Sequence, residues 1–289
     1  MNKKAYFHLP GLFEFYELYS RFLPLFYSHR EYFYDRCEIA SIYGSPKDTI
    51  WSGGRVSSEY EDPLKVLELV RRYGISPRLT FSNSLLKKEH LSDSKCNNLC
   101  SLFEKYDGGV IVHSELLLEY LMENYPGLYF VSSTTKVITD FNEFEKELER
   151  SEFSYVVPDF RLNDKTDELK ELSQKNKVEF LMNECCSYDC INRKECYESV
   201  SRINLGMDSD YVCPYGKGYR FSDAMNNKGF IGVDDIEKYL KMGFSNFKIE
   251  GRGLGSALVF EFLLYYLVKP EYQLKVREEI YLGNMLDLF

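Results

Sequence analysis

Val178-Glu179-Phe180-Leu181-Met182-Asn183-Glu184-Cys185-Cys186 begins as a largely apolar run and ends in polar and sulfur-bearing side chains. The apolar part reads as a short buried strand, with the polar groups at its C-terminal end. Working outward, the same form recurs at Ala5–Leu9, Glu38–Tyr43, Arg78–Phe81, Gly109–His113, Leu128–Ser132, Ser154–Pro158 and Asn246–Ile249. Amphipathic stretches suited to helices lie between several of them, at Pro63–Tyr73, Glu115–Asn124, Asn142–Arg150 and Lys165–Lys175. Strand alternating with helix argues for βα units and a parallel sheet. Eight units in roughly 250 residues is the size of a (β/α)8 barrel. The expected fold is therefore α/β, a TIM-like (β/α)8 barrel forming one domain over residues 1–289. Residues 184–228 form an insertion between strands 7 and 8. After the eighth strand Gly255–Val268 reads as a helix, and the chain then ends in an acidic, apolar tail.

Composition narrows the function. With 289 residues and 44% hydrophobic content the chain can bury a sizeable core. The 36 basic and 45 acidic residues give a formal net charge of −9, which disfavours a broad electrostatic grip on nucleic acid while leaving room for a local basic patch. No apolar run approaches the ~18 residues of a membrane span. The start, Met1-Asn2-Lys3-Lys4, lacks the apolar region and cleavage site of a signal peptide, so a cytoplasmic chain is expected. The rings crowded into the first 35 residues, among them Phe13, Tyr19, Phe22, Phe26 and Phe33, read as a helix packed on the barrel wall.

The cysteines carry the chemistry. Five of eight fall in one segment, Cys185, Cys186, Cys190, Cys196 and Cys213. Thiolates suit soft metal centres, and four can complete an iron–sulfur cluster or a zinc site. No paired Cys-x2-Cys knuckle of the kind structural zinc favours occurs, and the uneven spacing suits a 4Fe–4S cluster better. Cys190, Cys196 and Cys213 are the firmer ligands. Cys185 and Cys186 compete for the fourth place, with a lean to Cys185 at the strand end. Cys96, Cys100 and Cys37 read as buried small apolar residues.

Barrel enzymes work at the C-terminal ends of their strands. Candidates there for a substrate site are His8, His113, Lys248, Glu250 and Arg252. Lys248 and Glu250 share a face of the last strand, and Arg252 follows Gly251, suited to gripping a carboxylate or phosphate in a fork. A structural ion-pair network is the competing account of these charges. Trp51-Ser52-Gly53-Gly54-Arg55 reads as a turn. No P-loop, Gly-x-Gly-x-x-Gly, His-Glu-x-x-His or nucleophile elbow occurs.

The run Phe247-Lys248-Ile249-Glu250-Gly251-Arg252, preceded by Asp234-Asp235-Ile236, resembles the terminal signature of the collagenase-like peptidases, peptidase family U32. Asn183-Glu184-Cys185 with Cys190, Cys196 and Cys213 is similar to the cluster-binding segment of that superfamily. The resemblance covers about a quarter of the chain, from Asn183 to Arg252. It implies a TIM-like barrel, a 4Fe–4S cluster on four cysteines and redox chemistry such as oxygen-independent hydroxylation of an anionic or aromatic substrate, with a partner subunit or electron donor. The alternatives are a peptidase and a non-catalytic cluster-carrying partner protein. The adjacent pair Cys185-Cys186 and the lack of the extension carried by longer members depart from the pattern.

Overall fold

A computed structural model describes residues 3–54, 62–216, 220–251 and 253–286, with side chains to residue 282. Eight parallel strands form one sheet: β1 (Ala5–Pro10), β2 (Cys37–Gly44), β3 (Ser76–Phe81), β4 (Gly109–Val112), β5 (Tyr129–Ser132), β6 (Phe153–Val156), β7 (Glu179–Leu181) and β8 (Asn246–Lys248). Their order is β6-β5-β4-β3-β2-β1-β8-β7. A parallel bridge between Val156 and Val178 brings the two edges together, so the sheet is a nearly closed TIM-like barrel. All eight expected strands are present, several trimmed or extended by a residue or two at their ends.

The helices cover the outside: α1 (Tyr16–Ser28), α2 (Pro63–Arg72), α3 (Ser94–Glu104), α4 (Glu115–Asn124), α5 (Phe141–Glu149), α6 (Thr166–Glu171), α7 (Arg193–Asn204), α8 (Phe221–Met225), α9 (Ile236–Met242), α10 (Ser256–Leu267) and α11 (Gln273–Leu286). Caps start several of them. Asp62, Asp93, Ser114 and Asp140 each accept a hydrogen bond from a backbone N–H in the first turn that follows, satisfying donors the helix itself cannot pair. The aromatic N-terminal stretch is α1, which buries Tyr19, Phe22 and Phe26 against the wall. The acidic, apolar terminal stretch forms helix α11, with Val276 and Ile280, one turn apart, buried. No helix among the described residues is long and apolar enough to cross a membrane.

Alternate residues of each strand face outward and inward. Phe7, Leu9, Leu79, Phe81, Phe180 and Phe247 pack outward in the main core. The inward residues form tiers. Tyr43, Ile111, Val131, Val157 and Leu181 make a small separate apolar cluster inside the barrel. Toward the N-terminal ends lies a buried knot of charge. Glu179 accepts from Arg78 Nη1 at 2.5 Å and from Lys248 Nζ at 2.9 Å. Arg78 also donates to the Tyr129 hydroxyl at 2.8 Å and lies 4.6 Å from the Tyr155 ring. His8 completes the knot, 3.5 Å from Glu179 and hydrogen-bonded through Nδ1 to the Ser41 hydroxyl at 2.7 Å. Burial alone would raise the Glu179 pKa, but Arg78, with His8 and Lys248, outweighs it and holds the carboxylate well below its usual range.

Glu179→Gln leaves two buried cations without their counter-charge and should cost about 3–5 kcal/mol in denaturant unfolding. Burial, and next the Arg78 charge, push the His8 pKa down to about 3 from 6.5. The unfolded chain therefore takes up a proton in that window that the folded chain refuses, so stability should fall as the pH drops from 6.5 towards 3. His113, pushed down to about 4, acts in the same sense. Urea unfolding across this range should show a shallower acid slope in His8→Gln; a slope identical to wild type would refute the assignment.

Candidate functional site at the barrel mouth

At the C-terminal ends of the strands a cavity of about 80 Å³ opens above the apolar tier. Tyr43, Ile111, Val157 and Leu181 floor it, and Thr80 and Ser82 of the β3 end form one wall. Ser133, Thr134 and Thr135, just beyond β5, form another, while Glu184, Lys248 and Glu250 come from the β7 and β8 side. Tyr197 of α7 also lines it, so the insertion reaches over the mouth. Lys248 is held from below by Glu179 and lies 3.7 Å from the centre of the Tyr43 ring. Asn183 stitches β7 to β8, donating to the Glu250 carbonyl at 3.1 Å and accepting from its N–H at 2.8 Å.

A second buried knot fixes the insertion to this mouth. Arg193, the first residue of α7 and 1% exposed, pairs with Asp159 beyond β6 (3.2 Å) and with Glu184 beyond β7. It also donates to the Tyr197 hydroxyl at 3.0 Å and packs over the Phe160 ring at 4.9 Å. Glu184 accepts from the N–H groups of Cys185 (2.9 Å) and Cys186 (3.2 Å). Arg161 donates to the Cys190 carbonyl at 3.0 Å, and Asn227 to that of Cys186 at 3.3 Å. The backbone of the cysteine loop is thus tied down on both sides. On its far side Asn83 and Asn204 bind α7 to the strand ends, Asn83 donating to the Ser201 carbonyl at 3.1 Å and Asn204 to that of Ser52 at 2.6 Å.

The thiols fall into two groups. Cys185 faces the mouth, its sulfur 3.5 Å from Glu184 Oε1 and 3.8 Å from Glu250 Oε1. Cys190, Cys196 and Cys213 all lie within electrostatic reach of the buried Tyr211 hydroxyl. Burial first, and then these thiols, push that hydroxyl up to about 12. Cys186 acts on Arg193. Cys37, Cys96 and Cys100 are buried in the wall, and desolvation pushes the Cys37 thiol up to about 12 and the other two higher still.

The expected substrate-site residues separate by depth. Lys248 and Glu250 line the cavity, His113 stands one residue behind it, and His8 lies below in the charge knot. Arg252 and Arg55 fall outside the described residues. Gly53 presses on the β3 end, where a Cβ would lie 2.0 Å from the Ser82 carbonyl oxygen, so its turn serves packing against backbone. Two features escaped the sequence. One is Arg193, whose partners come from two different strand ends. The other is the contact of His113 Nδ1 with Thr135 Oγ1 at 2.8 Å, across 22 residues of chain.

A parallel eight-stranded barrel with polar groups gathered at one mouth defines a TIM-like barrel protein, its candidate site at the strand C-termini. More particularly, the solved structure of the U32 peptidase Mk0906 is similar, with a TM-score of 0.53, 87% of this chain and 94% of that one covered, and 14% sequence identity. At that identity the likeness is one of fold. No protein-family model and no curated protein matches the chain.

Arg193→Leu would strip the Glu184 carboxylate of its cation in the interior and leave Asp159 to Arg161 alone. We expect faster amide exchange across residues 184–216 with β1 to β5 still protected; unchanged exchange in the insertion would show that the knot does not hold it.

Proposed function

We propose that this protein is an iron–sulfur redox enzyme of the U32 type, with a 4Fe–4S cluster on the insertion and a small substrate in the barrel mouth beside it. The observation that supports the reading is the concentration of five of the eight cysteines in one segment beside the mouth, with Cys190, Cys196 and Cys213 all within electrostatic reach of the Tyr211 hydroxyl. These three come from the turn before α7, the first turn of α7 and the strand-free stretch after it. A set of thiolates with an adjacent fourth suits a cluster or zinc by donor chemistry, and the ligand spacing favours the cluster. Cys185 and Cys186 compete for the fourth place, and the Cys185 sulfur lies beside the mouth carboxylates Glu184 and Glu250.

When bound, the cluster supplies one-electron transfer. The chain's own residues do the rest. Glu184 and Arg193 fix the loop, the apolar tier closes the cavity below, and Tyr197 screens it from above. Arg252, following β8, would hold an anionic group of the substrate. The loop and its exposed Cys213 leave an approach for an electron donor or partner subunit.

One observation favours a second reading. Thr135 lines the cavity and its hydroxyl contacts His113, which burial, and next the Lys136 charge, keep neutral down to about pH 4. That is a nucleophile beside a base, as a peptidase needs. Against it, the Thr135 hydroxyl is also engaged with Ser133 at 3.0 Å.

Anaerobic preparations should be brown, with iron and sulfide bound. Cys190→Ser, Cys196→Ser and Cys213→Ser should each lose most of the iron, as should one of Cys185→Ser and Cys186→Ser, because a hard hydroxyl replaces a soft thiolate poorly. Cys96→Ser and Cys100→Ser should keep it. Zinc in place of iron, or a full cluster in Cys190→Ser, would overturn the assignment; peptide hydrolysis abolished by Thr135→Val would favour the second reading.

A further inference from the structure

Five hydroxyl-bearing Ser and Thr side chains line the cavity at the mouth, and they are not equivalent. Three are spent within the protein. Thr134 donates to the Pro158 carbonyl at 3.2 Å, Thr135 donates to Ser133 at 3.0 Å, and Ser133 accepts as well from the Thr135 N–H at 3.2 Å. The other two, Thr80 Oγ1 and Ser82 Oγ, are buried and have no hydrogen-bond partner among the described residues. Thr80 is 6% and Ser82 1% exposed.

These two stand two residues apart on β3 and its extension, so they share the face that looks into the barrel, as Arg78 does below them. Local backbone groups that would ordinarily take up such hydroxyls are already occupied. Ser45 accepts from the Thr80 N–H at 3.0 Å and donates to the Thr80 carbonyl at 2.7 Å. Gly53 packs directly on the Ser82 carbonyl and holds that residue in place. A rigid pair of unspent donors on the wall of an otherwise apolar-floored cavity is a recognition element, because each hydroxyl can both donate and accept.

We propose that Thr80 and Ser82 are the specificity-determining residues of the mouth and that they read an uncharged carbonyl or hydroxyl group of the ligand. The cavity, at about 80 Å³, has room for roughly three water-sized groups. What enters is therefore the polar group and the carbons that bear it, lying on Tyr43, Ile111 and Leu181, with any larger remainder toward Glu184 and Glu250 at the rim. The proposal rests on the barrel mouth as substrate site and not on the metal held by the cysteines.

The test compares two molecules of one shape, cyclopentanone and methylenecyclopentane, by titration against the methyl NMR signals of Ile111, Val157 and Leu181 in the purified full chain. The ketone should bind about tenfold more tightly, the worth of a neutral hydrogen bond or two. Ser82→Ala and Thr80→Val should each remove most of that preference without changing the affinity for the alkene, and Thr80→Ser should restore it. Equal binding of the two probes, a preference that survives both substitutions, or no binding by either would overturn the proposal. Iron measured on the same samples separates the two readings: ketone preference in a zinc-loaded protein would defeat the cluster and leave this assignment standing.

Discussion

Glu179 sits in the barrel interior between Arg78 and Lys248, with no exposed surface. A buried cation is tolerated only where it is paired and hydrogen-bonded, so this carboxylate licenses both. It joins β7 to β3 across the barrel and to β8 beside it. The pair Arg78 and Glu179 thus spans the interior directly, while the sheet goes the long way round. The weakest seam of the barrel, between β6 and β7, carries only the single bridge from Val156 to Val178 among the described residues. The ionic cross-link compensates near that seam, since Arg78 also bears on Tyr155 of β6. The same knot also shapes the cavity. Lys248 is presented to the cavity at a fixed height because Glu179 and the Tyr43 ring hold its ammonium.

Above that layer the design changes from fixed charge to a second ion-pair knot whose task is attachment. Arg193 brings the insertion down onto two strand ends at once, and Glu184, one of its partners, also orients the first two cysteines through their N–H groups. One carboxylate therefore couples the direction of the cysteine loop to the wall of the cavity. Both N–H groups converge on this one carboxylate, so the chain turns there, and the Cys185 sulfur lies on the mouth side beside Glu184 and Glu250.

The barrel was legible because each strand is a short apolar run ending in polar groups, a pattern that survives without knowledge of what packs where. The helices with side-chain caps, such as α2 and α4, were found nearly to the residue. Helix α11 was not, since Gln273 offers no cap signal and its stripe of Val276 and Ile280 is too thin to stand out in a charged stretch. The cavity lining was legible in part, since strand-end polarity singled out Lys248 and Glu250. The sequence did not separate His8 from His113 by depth, because both follow apolar residues in strands; His8 lies within β1, with Leu9 and Pro10 after it, whereas His113 stands just past the end of β4. Nor could it find Arg193, whose value comes from two carboxylates delivered by separate strands.

The depth of His8 has a consequence for how the mouth responds to acid. Both histidines are neutral at physiological pH, one because it is entombed beside Arg78 and the other because of burial and the nearby Lys136. Neither can then serve as a cationic anchor for an anion under those conditions. The fixed cation among the described cavity residues is Lys248, and its charge is already shared with Glu179. The deeper part of the cavity is accordingly left to apolar contact and to neutral hydroxyls. Charge at the entrance and neutral hydrogen bonding within is a division that the tiers of the barrel impose, because a charge carried past the rim would exchange water for Ile111, Val157 and Leu181.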